Sequence, residues 1–347
     1  MAKLRAVTAL CSALMLIAFT GNVGARDQGV QNFTKVTIFV GYSSTSGIGY
    51  DTYGRVLARS LGKYLPGNPT VTVSNRPGAG SMTLANYIAN AAPKDGSEIG
   101  LIGRGVAMDR LVYGEKSPAR FDATKLQWLG SMNNEVGGFF ISDTAPVKSL
   151  KDVLDGKELI VGSAGAASDL HAFALVMNSI LGARLKIVDG YPGTTEILLA
   201  LERGEVDGLI GYSWGAARTG SASMLKSGKL NNILQLALKK HPELPDVPLI
   251  TDLVQSTNER QLLELIFARQ TMGRPFIAPP GTSEGVVKLL RTAFTAAMKD
   301  SELIETASKM SLEIDHADGE IVQELVERLH QLPPAVIERT QSIINKK

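Results

Sequence analysis

The chain has almost no cysteine, few aromatic residues, no surplus of basic charge and no apolar run long enough to span a bilayer. Cys11 is the only cysteine among 347 residues, and it lies in the N-terminal apolar stretch. A chain cut behind that stretch has none, which excludes disulfides, thiolate zinc sites and cysteine nucleophiles together. Lys+Arg number 36 and Asp+Glu 34. A nucleic-acid binder needs a clustered basic surplus, and none is visible. The four histidines, His171, His241, His316 and His330, are scattered without metal-ligand spacing. No metal and no cofactor is therefore expected. Aromatics make up 6% of the chain against 35 glycines, a balance that favours α/β units with many tight turns over a β-sandwich. The length suits two domains better than one, since single cores stop growing at roughly 250–300 residues.

The N-terminus has the form of a secretory signal. Lys3 and Arg5 make a basic start, residues 6–20 carry no charge, and Val23-Gly24-Ala25 supplies the small residues a signal peptidase reads. The apolar run falls short of the ~20 residues of a membrane span. Cleavage after Ala25 and a periplasmic product are expected. Leu10 precedes Cys11, and cleavage there would halve the apolar run, which argues against lipidation. Loss of Lys3 and Arg5 brings the basic residues level with the 34 acidic ones.

Apolar β-branched runs then alternate with helical patterns. Strands are expected at 36–40, 70–73 and 98–102, with helices at 50–64 and 81–91 between them. Such strand–loop–helix repeats imply right-handed βαβ crossovers. The rhythm breaks where runs 126–129 and 138–141 follow one another without a helix. A second series follows: strands 158–161, 185–188, 208–210 and 233–238, with helices 168–180 and 194–203. A proline-studded stretch from His241 to Pro248 marks irregular surface, and 274–278 reads as a strand returning to the first sheet. The expected fold is α/β and two-lobed, each lobe a mostly parallel sheet flanked by helices with the ligand cleft between them. Domain I is discontinuous, residues 26–134 and 272–347, and domain II spans 135–271.

Three loops share one design, an apolar strand followed by small residues and a helix start. They run over residues 41–49, 75–81 and 162–168. In open α/β sheets ligands bind outside the carboxyl ends of the strands. Small side chains there admit the ligand to the backbone, and the helix start offers unpaired N–H groups. The nucleotide readings are weak. Gly78-Ala79-Gly80 begins a dinucleotide fingerprint, but Thr83 stands where the third glycine belongs. One enzyme pattern occurs, Gly211-Tyr212-Ser213-Trp214-Gly215 after a strand, with Asp252 and His316 following in the order of a hydrolase triad. Only a short, weak helix follows it, so the serine hydrolase is the alternative reading.

The same loops carry a family pattern. Val40-Gly41-Tyr42 through Gly49-Tyr50-Asp51, Pro66-Gly67-Asn68-Pro69 and Asn75-Arg76-Pro77-Gly78-Ala79-Gly80-Ser81 resemble the substrate-binding proteins of tripartite tricarboxylate transporters, the Bordetella uptake gene (Bug) family. Ala92-Pro93-Lys94-Asp95-Gly96, the block from Ala200 to Asp207, Leu244-Pro245-Asp246-Val247-Pro248 and Ala278-Pro279-Pro280-Gly281-Thr282 match further landmarks in order. Two departures touch the site: Ser43-Ser44-Thr45-Ser46 replaces a usual Pro-Gly-Gly, and Ala167 replaces a glycine of the third loop.

The resemblance implies a two-lobed type II-like periplasmic receptor that closes by a hinge over one small organic acid. It would act as a monomer that delivers a di- or tricarboxylate, or a related acid, to the membrane subunits of a tripartite transporter. A ligand-sensing lobe for a membrane signalling protein would use the same chemistry. By position, the expected ligand-binding residues are Tyr42, Ser43, Ser44 and Asp51 of the first loop and Pro77, Gly78, Ala79, Gly80 and Ser81 of the second. Ser163, Ala164 and Ser168 come from the third loop, with Arg104, Asp207 and Tyr212 added. No catalytic residue is expected.

Overall fold

The computed structural model describes residues 32–42, 49–165 and 168–345. The signal reading of residues 1–25, Ser43 and Ser44 of the expected site, and Ala167 lie outside the described residues.

The first series comprises β1 (Lys35–Val40), α1 (Tyr50–Leu61), β2 (Thr70–Asn75), α2 (Met82–Asn90), β3 (Glu98–Leu101), the short α3 (Asp109–Tyr113) and β4 (Gln127–Ser131). The chain then passes directly to β5 (Gly137–Ser142), α4 (Leu150–Leu154), β6 (Glu158–Gly162), α5 (Asp169–Ile180) and β7 (Arg184–Val188). It continues through α6 (Thr194–Glu202), β8 (Gly208–Ser213), α7 (Trp214–Gly220), α8 (Ala222–Lys226) and β9 (Leu230–Leu236). The return runs along α9 (Thr257–Thr271) to β10 (Pro275–Ala278), α10 (Glu284–Ala297), α11 (Ser301–Lys309), β11 (Ala317–Asp318), α12 (Gly319–His330) and α13 (Pro334–Ile344).

Two sheets result. One has the order β11-β4-β10-β3-β1-β2, the other β7-β6-β8-β5-β9. Strands joined by βαβ crossovers pair in parallel, as β1 does with β2 and β3, and β6 with β7 and β8. Both sheets are nevertheless mixed. β10 runs antiparallel to β3 and β4, and β5 runs antiparallel to β8 and β9. The reason is topological. β5 and β10 each begin where the chain arrives from the other sheet, so they start at the edge where their neighbours end.

Side-chain period explains the layers. Along β1, Val36, Ile38 and Val40 are buried with alternate neighbours more exposed, the period-2 pattern of a strand. Along α1, Tyr53, Val56, Leu57 and Leu61 recur at three- and four-residue spacing and form its buried face. They pack with Ile38, Phe276 and Phe294 over the six-stranded sheet. Phe140, Ile197, Leu201 and Leu209 fill the corresponding face of the other sheet. Helix α9 joins the two regions: Phe267 stacks on Phe173 of α5 with ring centroids 4.7 Å apart, both rings fully buried. The sequence pattern missed α9 because Leu262, Leu263, Leu265, Ile266 and Phe267 are all buried, so its polar residues cluster towards the N-terminal half instead of recurring with a helical period along its length. Among the described residues no helix is long and apolar enough to cross a membrane.

Candidate functional site

The first two loops, at the ends of β1 and β2, are laced together and to the end of β3. Gly41 must be glycine, since a Cβ there would lie 2.0 Å from the Ser81 hydroxyl. That hydroxyl accepts the Gly103 N–H at 2.9 Å, and the Tyr42 hydroxyl donates to the Gly80 carbonyl at 3.2 Å. Asn75 Nδ2 donates to the Tyr42 carbonyl and to Asp51. Four consecutive residues hold positive φ: Gly78 at 141°, Ala79 at 45°, Gly80 at 61° and Ser81 at 81°. Left-handed backbone at Ala79 and Ser81 costs of order 1–3 kcal/mol each and is kept where the surroundings enforce it. The N–H groups of Ala79 and Gly80 take no acceptor among the described residues.

These loops border a cavity of about 410 Å³, within the usual span for small-molecule sites. Tyr42, Tyr50, Ala79, Gly80 and Met82 line it together with Gly105, Val106, Asp109 and Tyr113. Five charged groups form the remainder as an alternating chain: Arg274, Glu135, Arg104, Asp169, Arg269. Arg274 pairs with Glu135 at 2.9 Å, and Glu135 also pairs with Arg104. Arg104 Nη2 and Arg269 Nη1 each donate to a different oxygen of Asp169 at 2.5 Å. Gln270 accepts a further bond from Arg104 at 2.9 Å.

The topology assembles this chain. Arg104 follows β3, Asp169 opens α5 behind its N-cap Ser168, and Glu135 lies on the first crossing between the sheets. Arg269 and Arg274 flank the end of the second crossing. Both passages between sheets therefore deliver charge to one place.

Burial alone would raise the Glu135 carboxyl, but the guanidinium groups of Arg104 and Arg274 outweigh it and hold the group below its ordinary value. Asp169 is held down to about 2, because Arg104 and Arg269 overcome the desolvation that opposes ionisation. Burial disfavours the Arg104 charge, and Glu135 and Asp169 more than restore it, so its pKa is raised. Arg274 lies over the rings of Tyr50 and Tyr53 at 4.4 and 4.9 Å, a cation–π seat. Desolvation pushes the Tyr53 phenol up to about 12 and raises Tyr42 and Tyr50 as well, so all three remain protonated donors. The chain holds three cations against two carboxylates. Arg269 is 8% exposed, and its Nε has no hydrogen-bond partner among the described residues.

Of the residues expected from sequence, Tyr42, Ala79, Gly80 and Arg104 border this cavity. Ser81 stands behind it as the buried strut on Gly103, and Gly78 shapes the turn with Pro77 at its exposed start. Asp51 is engaged by Arg55 and Asn75. Ser163 and Ser168 bond to one another at 3.1 Å, Ser168 also caps α5, and neither they nor Ala164 line the cavity. Asp207 lies at the opposite end of β8, where its carboxylate accepts the Ile160 N–H at 2.8 Å. Tyr212 packs on Phe140 and shares a hydrogen bond with Ser221.

Sequence reasoning missed Glu135, Asp169, Arg269 and Arg274. The available signal was charge at the two places where the chain changes sheets, above all Arg269 and Gln270 closing an apolar helix. Ser213 does occupy a strand-to-helix turn, but among the described residues neither His316 nor Asp252 bonds to it. His316 pairs with Asp318, and the ring of His241 meets Glu313.

Comparison with known proteins agrees with this architecture. The chain is 25% identical over 311 residues to the "UPF0065 protein in gbd 5'region" of Cupriavidus necator, covering 88% of this chain and 86% of the relative. A TctC solute binding protein from Polaromonas superposes with a TM-score of 0.71 at 19% identity, over 90% of this chain and 99% of that one. Two Rhodopseudomonas palustris proteins, one solved with adipate and one with malate, superpose at TM-scores of 0.58 and 0.57 with 19% and 20% identity. Each match covers 90% of this chain, and 96% and 99% of those chains. At these identities the structures establish the fold. The TctC model, described as the tripartite tricarboxylate transporter family receptor, matches residues 54–344, and the chain belongs to that family of non-catalytic solute receptors.

Proposed function

We propose that this receptor captures a small organic acid in the arginine-lined cleft and presents it to the membrane subunits of a tripartite transporter. The observation that carries the reading is the charge of the arginine chain along the cleft. The arginine chain holds three cations against two carboxylates, the Arg269 Nε has no hydrogen-bond partner among the described residues, and Ala79 and Gly80, whose N–H groups take no acceptor there, line the same cavity. A ligand carboxylate supplies the missing anion. A hydrogen bond to a charged group contributes ~1.5–3 kcal/mol, so four of them reach the about 8 kcal/mol of micromolar binding. Structural relatives crystallised with adipate and malate support an acid as the ligand class.

The same reading takes residues 26–134 with 272–347, and 135–271, as two lobes that close on the ligand. The connections at Glu135 and Gly273 act as hinges. Export with removal of residues 1–25 places the protein in the periplasm as a monomer. The test is mass spectrometry of the protein purified natively from the periplasm, first intact and then denatured. A mature chain beginning at Arg26 that releases a stoichiometric small carboxylate is expected. A ligand without a carboxyl group sinks the proposal.

A further inference from the structure

One carboxylate of the cavity stands outside the alternating chain. Asp109 opens the short α3 and lines the cavity. Its Oδ2 accepts the Ser117 hydroxyl at 2.5 Å, while Oδ1 has no hydrogen-bond partner and the residue forms no ion pair among the described residues. The other two carboxylates of the cavity are each shared between two arginines. Tyr113, one turn along α3, lines the same cavity; burial raises its phenol, with Arg269 opposing and Asp109 and Asp169 adding to that shift.

The cavity is thus bipolar. The arginine-rich chain carries one surplus positive charge, Asp109 carries one negative charge, and Met82, Val106 and Tyr113 add apolar or aromatic lining to the same cavity. A dicarboxylate would add two negative charges where the protein's own charges already balance, and one of its ends would meet Asp109. A molecule with a carboxylate, an ammonium and an uncharged body fits every group. We propose, resting on the receptor reading above, that the ligand is a zwitterionic α-amino acid with an uncharged side chain. Its carboxylate completes the chain at Arg104 and Arg269, and its ammonium pairs with Asp109. The bond that Ser117 makes to Oδ2 leaves Oδ1 to receive the ammonium.

The experiment is calorimetric titration of the dialysed, ligand-stripped protein and of its Asp109→Asn variant. The probes are L-alanine, L-leucine, L-glutamine and L-phenylalanine, with lactate, 2-hydroxyisocaproate, phenyllactate, succinate and adipate as partners lacking the ammonium. At least one amino acid should bind about tenfold or more tightly than its 2-hydroxy counterpart and than either dicarboxylate. Asp109→Asn should remove that gap by weakening the amino acid alone. Equal binding of the hydroxy acid or a dicarboxylate overturns the zwitterion and leaves the carboxylate receptor standing. Failure of every carboxylate to bind overturns both. If Asp109→Asn lowers the melting temperature but preserves the gap, Asp109 only supports the start of α3, and the inference is overturned.

Discussion

Arg104 donates from Nη2 to the Asp169 carboxylate at 2.5 Å, joining the loop after β3 of the six-stranded sheet to the first turn of α5 on the five-stranded sheet. Arg104 is at the centre of the alternating chain, with a carboxylate on each side. Removing one partner of a buried ion pair leaves the other uncompensated, at about 3–5 kcal/mol. Arg104→Met should destabilise the protein by that order in urea unfolding and reduce ligand binding below detection. Arg104→Lys keeps the charge but not the fork that reaches Glu135, Asp169 and Gln270 together, and should fall between.

Asp169 makes the stability of the protein sensitive to acid. Its folded pKa, about 2, lies below the ordinary value of 3.8, so its contribution is fully present above about pH 4. The contribution is lost as pH falls from about 4 through 2. The size is about 2 kcal/mol for a carboxylate that is mostly buried. The stability gap between wild type and Asp169→Asn should be widest at neutral pH and shrink across that window. Urea titrations at several pH values measure it, and a constant gap contradicts the assignment.

Gly80 offers a test of the second loop. A Cβ on it meets nothing within 4 Å, so Gly80→Asp puts a carboxylate into the cavity without a clash. The matched control is Gly281→Asp: both glycines hold positive φ, 61° and 78°, and share the same backbone strain. In that control the new carboxylate would reach Lys94, since a Cβ added at Gly281 lies 3.4 Å from the Lys94 ammonium. Gly80→Asp should lower affinity for the co-purified acid at least about tenfold, through repulsion and competition for the arginines. Gly281→Asp should bind like wild type. Equal binding by both variants would remove the second loop from the site.

Ser213 should be dispensable. With neither His316 nor Asp252 bonded to it, nothing among the described residues activates its hydroxyl. Ser213→Ala should retain affinity within a few-fold, and a fluorophosphonate probe should leave the wild type unlabelled. Stoichiometric labelling that the variant loses would reopen the hydrolase reading.

Buried aromatic packing should dominate global stability. Phe267→Ala removes one ring of the Phe173 pair that ties α9 to α5. A loss of about 3–5 kcal/mol in chemical unfolding is expected.

Local pattern along the chain was enough to locate the first ten strands and most crossover helices, though not the two-residue β11. Period-2 burial, three-to-four-residue spacing and glycine punctuation are readable within ten or so residues. The turn around Gly80 was legible for the same reason, because no other residue type takes that backbone cheaply. Which charges meet depends instead on the assembled sheets. Arg104, Glu135, Asp169, Arg269 and Arg274 are far apart in sequence and share no spacing; they converge because β5 and β10 both begin at the edge where the other strands end. Asp207 shows the converse. Its place in a recognisable block marked it for the site, yet it sits at the opposite end of β8, where its carboxylate satisfies the Ile160 N–H. Whether a charge lines a cleft or pins a strand depends on which end of the sheet it occupies, and pairing across the whole chain sets that.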